Sequence, residues 1–284
     1  MHSRLRLPRT RRHALPGFGL TFGVTAGYVG LIVLLPLAAL ALKAASLGPE
    51  EFWRVATEPR AIAAYRVTFG CAALAAMVNL VCGPILAWVL VRYRFPGRAL
   101  IDALVDLPFA LPTSVAGITL TALYVPNGIL GRWAEQAGWT IAYTPAGITV
   151  ALVFVSLPFL VRSVQPLIED LGVDAEEAAA TLGAGRLTVL WRVVLPTLWP
   201  AILTGFALAF ARALGEYGSV IFIAGNMPMV SEIAPLLIAA KLDQHDTAGA
   251  AAIAVVLLAA SFAALFAINL VQLAIVRRRS ADEA

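Results

Sequence analysis

Residues 21–42 run for 22 positions without a charged side chain. A helix needs ~20 apolar residues to cross a bilayer, so this segment is long enough to span one. Five further apolar runs follow at 67–91, 101–125, 144–161, 196–224 and 248–276, with Asp102 and Asp106 in the second of these, Arg212 and Glu216 in the fourth, and Arg277, Arg278 and Arg279 stopping the last. Hydrocarbon offers no partner to a backbone N–H or C=O, so each run must satisfy its own and is expected to be helical. The chain therefore reads as an all-α integral membrane protein with six transmembrane helices. Composition agrees: 60% of residues are hydrophobic and 13% are charged, against roughly a quarter charged in soluble domains.

Basic residues sit beside the apolar runs and predict the orientation. On one side fall Arg4, Arg6, Arg9, Arg11 and Arg12, then Arg92, Arg94 and Arg98, then Arg162, Arg186 and Arg192, then Arg277 to Arg279, fourteen in all. The other side holds Lys43, Arg54, Arg60, Arg66, Arg132 and Lys241, which make six. Both termini and the 162–196 connection are thus expected in the cytoplasm. The net charge of +4 is read as topology, with no nucleic-acid partner implied. Arg11 and Arg12 bring a signal peptide to mind, but the 22-residue run exceeds a usual signal core and more spans follow. The expected organisation is a basic tail over 1–20, an uncleaved first helix over 21–42, a core of five helices over 63–276, and a second cytoplasmic tail over 277–284.

No catalytic or metal constellation appears. Cys71 and Cys82 fall in one apolar run and read as small buried hydrophobes. His2, His13 and His245 are isolated and are expected in exposed loops. The lysines are Lys43 and Lys241 alone, and neither lies in a G-x-x-x-x-G-K-[ST] loop, so no nucleotide site and no cofactor is expected in this chain. The stretch 225–246 carries Asn226, Pro228 and Pro235 amid apolar residues. It fits either a short outer helix or a re-entrant piece.

The connection 162–196 is amphipathic and too polar to span. Asp174 and Glu177 have the spacing of a capping box, with Asp174 at the N-cap. Ala178, Ala179, Ala180 and Leu182 favour a short helix. Gly183 and Gly185 end it, because glycine accepts the left-handed conformation of a C-cap. A second helical piece from Arg186 presents Leu187, Leu190, Trp191 and Val194 at helical spacing, and Pro196 closes it. The first helix would be a peg ~13 Å long with Glu176 and Glu177 as acidic contacts for another surface. On pattern alone, an ordinary structured loop fits as well.

The pattern Glu177-Ala178-Ala179, three residues, Gly183, nine residues, then Val193 to Pro196 resembles the EAA loop of ABC importer permeases, with Val193 where isoleucine is usual. The resemblance implies the type I importer permease fold. It also implies that Glu176, Glu177, Ala178, Ala179, Gly183 and Pro196 form a coupling element that docks on a separate ATPase subunit, which holds ATP and magnesium. The likeness continues through Arg92–Arg98, 100–112, Thr113–Gly117 and Leu214–Gly218, which resemble the sulfate and molybdate branch. Ser219–Asn226, Ser231–Ile233, Leu242–Gln244 and Leu15–Phe18 resemble the T-type permeases of sulfate/thiosulfate importers. That family implies a W-type permease as heterodimer partner, two ATP-binding subunits and a periplasmic sulfate/thiosulfate-binding protein, all at a bacterial inner membrane. A molybdate/tungstate permease is the alternative within the class. A proton-coupled secondary anion transporter, with Arg212, Glu216, Asp102 and Asp106 as relay, is the alternative outside it.

Several residues could line an anion route. Thr113, Ser114 and Thr119 offer hydroxyls along the third run. Arg212 and Glu216 stand four apart in the fifth, either as part of the pathway or as an ion pair that satisfies itself and fixes packing. Asp102 and Asp106 are read as gate or loop contacts, with Arg98 as the partner of Asp102.

Overall fold

The computed structural model describes residues 18–282, and their side chains as far as 274. His2, His13 and the five arginines of the basic tail lie outside the described residues. Within them the chain forms helices and connections, without a strand. Five helices are long and apolar enough to cross a membrane: Phe18–Ala45 (span 1), Pro59–Arg92 (span 2), Pro145–Leu171 (span 4), Arg186–Leu214 (span 5) and Thr247–Ala274 (span 6). Span 3 is a pair of helices, Arg98–Ala110 and Thr113–Tyr124, bent by 115° at the break between them.

That bend overturns the reading of 101–125 as one helix. A proline pushes the residue before it out of the helical region, and Leu111, which precedes Pro112, takes φ −82° and ψ 135°. Span 4 is longer than expected: its helix runs through Arg162 to Leu171, so the connection to span 5 starts at Gly172. Span 5 both starts and ends earlier than 196–224, and Pro196 closes no helix. A π-turn over Leu190–Val194 precedes it, with the Leu195 N–H on the Leu190 carbonyl. The wider turn lets the helix pass a residue that has no N–H to donate. Span 1 uses the same device, a π-turn over Gly30–Leu34 ahead of Pro36.

Spans 2, 4 and 5 form the centre of the bundle, where small residues allow close approach. Leu160 of span 4 is fully buried. A Cβ on Gly83 of span 2 would lie 2.3 Å from its Cδ2, and one on Gly205 of span 5 would lie 3.0 Å from its Cα. Three backbones meet at Leu160 because two of them carry no side chain there. Ala72, Ala75, Ala76 and Ala87 continue the buried face of span 2. On its opposite side Leu74, Val78, Val81 and Ile85 are exposed at helical spacing, the apolar stripe of a lipid-facing helix. Asn79 hooks spans 2 and 4 together, donating to the Val153 carbonyl at 3.1 Å and the Ser156 hydroxyl at 2.9 Å. Cys71 is buried as expected, whereas Cys82 is exposed, which corrects the reading of both as core.

The stretch 225–246 contains a helix, Ala234–Asp243. The Thr68 hydroxyl accepts its Ala234 N–H at 2.8 Å. A two-point fork from Arg60 to Glu232, at 2.8 and 2.7 Å, fixes the turn that leads into it. His245 follows, exposed as expected and with φ +61°. Asp246 then caps span 6: its Oδ1 accepts the Gly249 N–H at 2.8 Å and its Oδ2 takes Lys241 Nζ at 3.1 Å.

Candidate functional site

The connection between spans 4 and 5 begins at Gly172, with φ +59°. The helix Asp174–Thr181 follows, with Val173 at its N-cap and no side chain capping it. The expected capping box is therefore not formed. Asp174, Glu176 and Glu177 all fall in the first turn, where the positive end of the helix dipole favours carboxylates. The far end behaves as expected. Ala184 N–H bonds the Ala179 carbonyl and Gly183 N–H bonds the Ala180 carbonyl, with Gly183 at φ +85°. This paired closure is the glycine-ended helix terminus known as a Schellman motif.

The helix has no buried residue. Glu177 and Ala178 are exposed, and Glu176 and Ala179 partly so. Glu176 turns towards the bundle, where Arg92 Nη2 at the end of span 2 lies 2.6 Å from its Oε1. Arg92 also donates to the Gly172 carbonyl and lies 5.1 Å over the Trp88 ring. Between the helix and the bundle is a cavity of about 490 Å³, lined by Trp88, Val173, Glu176, Glu177, Ala180 and Val194 among others. The apolar face read beyond Arg186 divides: Val194 is buried, while Leu187 and Trp191 are exposed. The helix is thus exposed along its length, with a positive-φ glycine at each end.

A second cluster forms where span 5 ends. Gly215 terminates the helix, so Glu216 lies just beyond it. Arg212 Nη1 pairs with Glu216 Oε2 at 2.6 Å. Glu216 Oε1 accepts the Ser219 N–H at 2.8 Å and the Ser219 hydroxyl at 2.9 Å. The carboxylate is thus satisfied at both oxygens while only 2% exposed. The turn 215–219 packs on the second half of span 3: a Cβ on Gly117 would lie 2.4 Å from the Ser219 carbonyl oxygen, and one on Gly218 would lie 2.1 Å from Thr113 Oγ1. Thr113, Arg212 and Glu216 are thereby gathered around one turn. Ser114 and Thr119 are exposed.

A third cluster corrects the partner assigned to Asp102. Arg162 of span 4, not Arg98, holds it at 2.7 Å, and forks onto Asp106 at 2.8 and 2.7 Å. From the residues alone, Arg92 and Arg162 read as orientation charges. Their sequence neighbours give no sign of carboxylate partners that lie 84 and 60 residues away.

Residues 79–280 match the family described as the inner membrane component of binding-protein-dependent transport systems. The chain belongs to that family. Its fold is the type I ABC importer permease fold. A bacterial ABC transporter involved in the import of the acidic polysaccharide alginate superimposes with a TM-score of 0.72 at 14% identity, covering 90% of this chain and 95% of that one. The alginate transporter in complex with a pentasaccharide-bound periplasmic protein gives the same score at 15% identity, over 89% of this chain and 93% of that one. Among curated relatives, the sulfate transport system permease protein CysT of Escherichia coli (strain K12) is 51% identical over 261 residues, 92% of this chain and 94% of the relative. The protein of the same name from Synechocystis sp. (strain ATCC 27184 / PCC 6803 / Kazusa) is 53% identical over 249 residues, 88% of this chain and 87% of the relative. As an inner membrane transport component, this permease has several apolar spans, and the connection between spans 4 and 5 projects from them.

Proposed function

We propose that this permease translocates sulfate, and with it thiosulfate, across the inner membrane, driven by a separate ATPase. The observation that carries the substrate is the 51% identity with a sulfate permease along 92% of the chain. The exposed helix Asp174–Thr181 and its Gly183 turn support the energy source, because they suit docking on another subunit rather than packing in the bundle. Partners of the kind the family implies complete the machine: a second permease of the W type, two ATP-binding subunits and a periplasmic sulfate-binding protein. The Lys and Arg distribution favours a cytoplasmic position for both termini and the coupling connection.

In this reading ATP-driven closure of the ATPase pair moves the coupling helix, with Glu177, Ala178 and Ala179 as its docking face and Gly183 as the pivot. Spans 4 and 5, which leave the connection at either end, carry the motion to the turn 215–219 and the half-helix Thr113–Tyr124. The hydroxyls of Thr113, Ser114 and Thr119 offer a weak polar route. Arg212 is neutralised by Glu216, so it does not trap a dianion. Selectivity then resides in the periplasmic binding protein, and release inside stays fast.

The test is uptake of labelled sulfate in cells deleted for this chain, with and without a rescuing copy. Loss of uptake that the copy restores supports the reading. Unchanged sulfate uptake with lost molybdate accumulation would keep the permease and overturn the substrate.

A further inference from the structure

We infer that Arg92 is a positioning residue for the coupling step, the link through which displacement of the helix Asp174–Thr181 is passed to span 2. The inference rests on the coupling role proposed above and adds a route that the EAA pattern does not contain.

The helix is joined to spans 4 and 5 by the chain itself, at Gly172 and across the Gly183 turn. Both glycines have positive φ and make compliant joints. No residue of the helix is buried, and a cavity lies between it and the bundle. Span 2 has no covalent neighbour in this connection, yet its last turn reaches it. Arg92, only 14% exposed, pairs with Glu176 at 2.6 Å, and the same Nη2 donates to the Gly172 carbonyl. One guanidinium nitrogen therefore grips the hinge and the helix together. Among the described residues, no other side chain of this helix makes an ion pair with a span.

The form of the contact suits a moving part. Arg60 and Arg162 each fork onto a carboxylate through two nitrogens, a geometry that fixes orientation. Arg92 engages Glu176 through Nη2 alone, and its buried Nε has no hydrogen-bond partner. A single-point contact can follow a carboxylate that rotates, whereas a two-point fork resists rotation. Stacking over Trp88 holds the guanidinium plane while its tip stays engaged. Glu176 thus serves the coupling inwardly, towards span 2, and Glu177 outwardly, towards the ATPase.

The test uses the assembled importer in proteoliposomes, with ATP hydrolysis and sulfate uptake measured together. Glu176→Gln keeps shape and removes charge, so complex assembly should survive while sulfate carried per ATP falls several-fold. Arg92→Glu should lose uptake by about tenfold or more. The exchange of both, Arg92→Glu with Glu176→Arg, should restore a substantial part, since the pair is rebuilt in reverse. Wild-type sulfate-to-ATP ratios in Glu176→Gln, or an exchange variant no better than Arg92→Glu alone, would overturn the inference. If Arg92→Glu does not assemble, the Glu176→Gln ratio decides by itself. A wild-type complex without ATP-dependent sulfate uptake would instead overturn the proposed function, and this control separates the two failures.

Discussion

Ser219 donates twice to Glu216, through its N–H at 2.8 Å and its hydroxyl at 2.9 Å. Arg212 occupies the other carboxylate oxygen. The three residues hold the turn after span 5 as a unit. Removing Arg212 alone leaves a buried carboxylate without its counter-charge, which costs up to about 3 kcal/mol. The double variant Arg212→Ala with Glu216→Gln should therefore unfold at a higher temperature in detergent than Arg212→Ala alone. If the pair is structural, uptake per folded complex stays near wild type in both variants, whereas an equal loss in both would support a pathway role. A single variant as stable as the double would show that the pairing contributes nothing.

The meeting of Gly83 with Leu160 predicts a steric cost. A methyl at Gly83 would lie 2.3 Å from Leu160 Cδ2 and 3.3 Å from its Cβ, so the fully buried Leu160 must shift to admit it. Gly83→Ala should destabilise the bundle by about 1–3 kcal/mol. Adding Leu160→Ala should recover part of that loss, because the two changes share one space. Thermal unfolding of the two single variants and the double would measure the interaction, and strict additivity would contradict it.

Asp246 predicts an acid response outside the membrane. The Gly249 N–H, foremost, and then the Lys241 ammonium favour its charged form, and together they outweigh burial and hold its carboxyl below the ordinary value of 3.8. A depressed carboxylate stabilises the fold above that ordinary value, and the contribution is lost as pH falls through the lower, folded value. The carboxylate is partly exposed, so the cap is worth about 0.5 kcal/mol. Asp246→Asn should lower stability slightly at neutral pH, and not once the pH has fallen below the folded value. An equal deficit at both pH values would mean that charge is irrelevant to this cap.

Gly183 has φ +85° with nothing near its Cβ position, so a substitution there acts through the backbone and not through a clash. A β-branched residue in that conformation costs ~1–2 kcal/mol. Gly183→Val should leave the spans inserted but reduce uptake for a given amount of membrane protein, and Gly183→Asn, which tolerates the left-handed region, should retain more. Equal activity in both variants would remove the turn from the coupling argument.

Much of this fold is legible in sequence because lipid imposes it: long, predominantly apolar runs must be helices, and six of them are visible. The errors fall where proline acts with its surroundings. Pro112 breaks span 3, yet Pro84, Pro108, Pro158 and Pro200 sit inside continuous helices. Pro196 is passed by a π-turn that no local pattern announces. In the candidate site the glycine turn at Gly183 was readable, since positive φ selects glycine. The Asp174 cap was not, because Val173 and not Asp174 stands at the helix boundary. Asp102 was assigned to Arg98 by the i,i+4 rule, and the bend and packing of span 3 against span 4 bring Arg162 there instead. Arg92 was counted as a topology charge, although its partner lies 84 residues on. Local rules find local partners, and the ties between spans are set by packing.

The central claim, ATP-driven sulfate entry, is tested most directly by labelled sulfate uptake in energised cells, with the energy source removed in two ways. Uptake should stop when ATP is depleted, persist when the proton gradient alone is collapsed, and resist modest molybdate. Uptake that survives ATP depletion and fails with the proton gradient would contradict it and point to a secondary transporter.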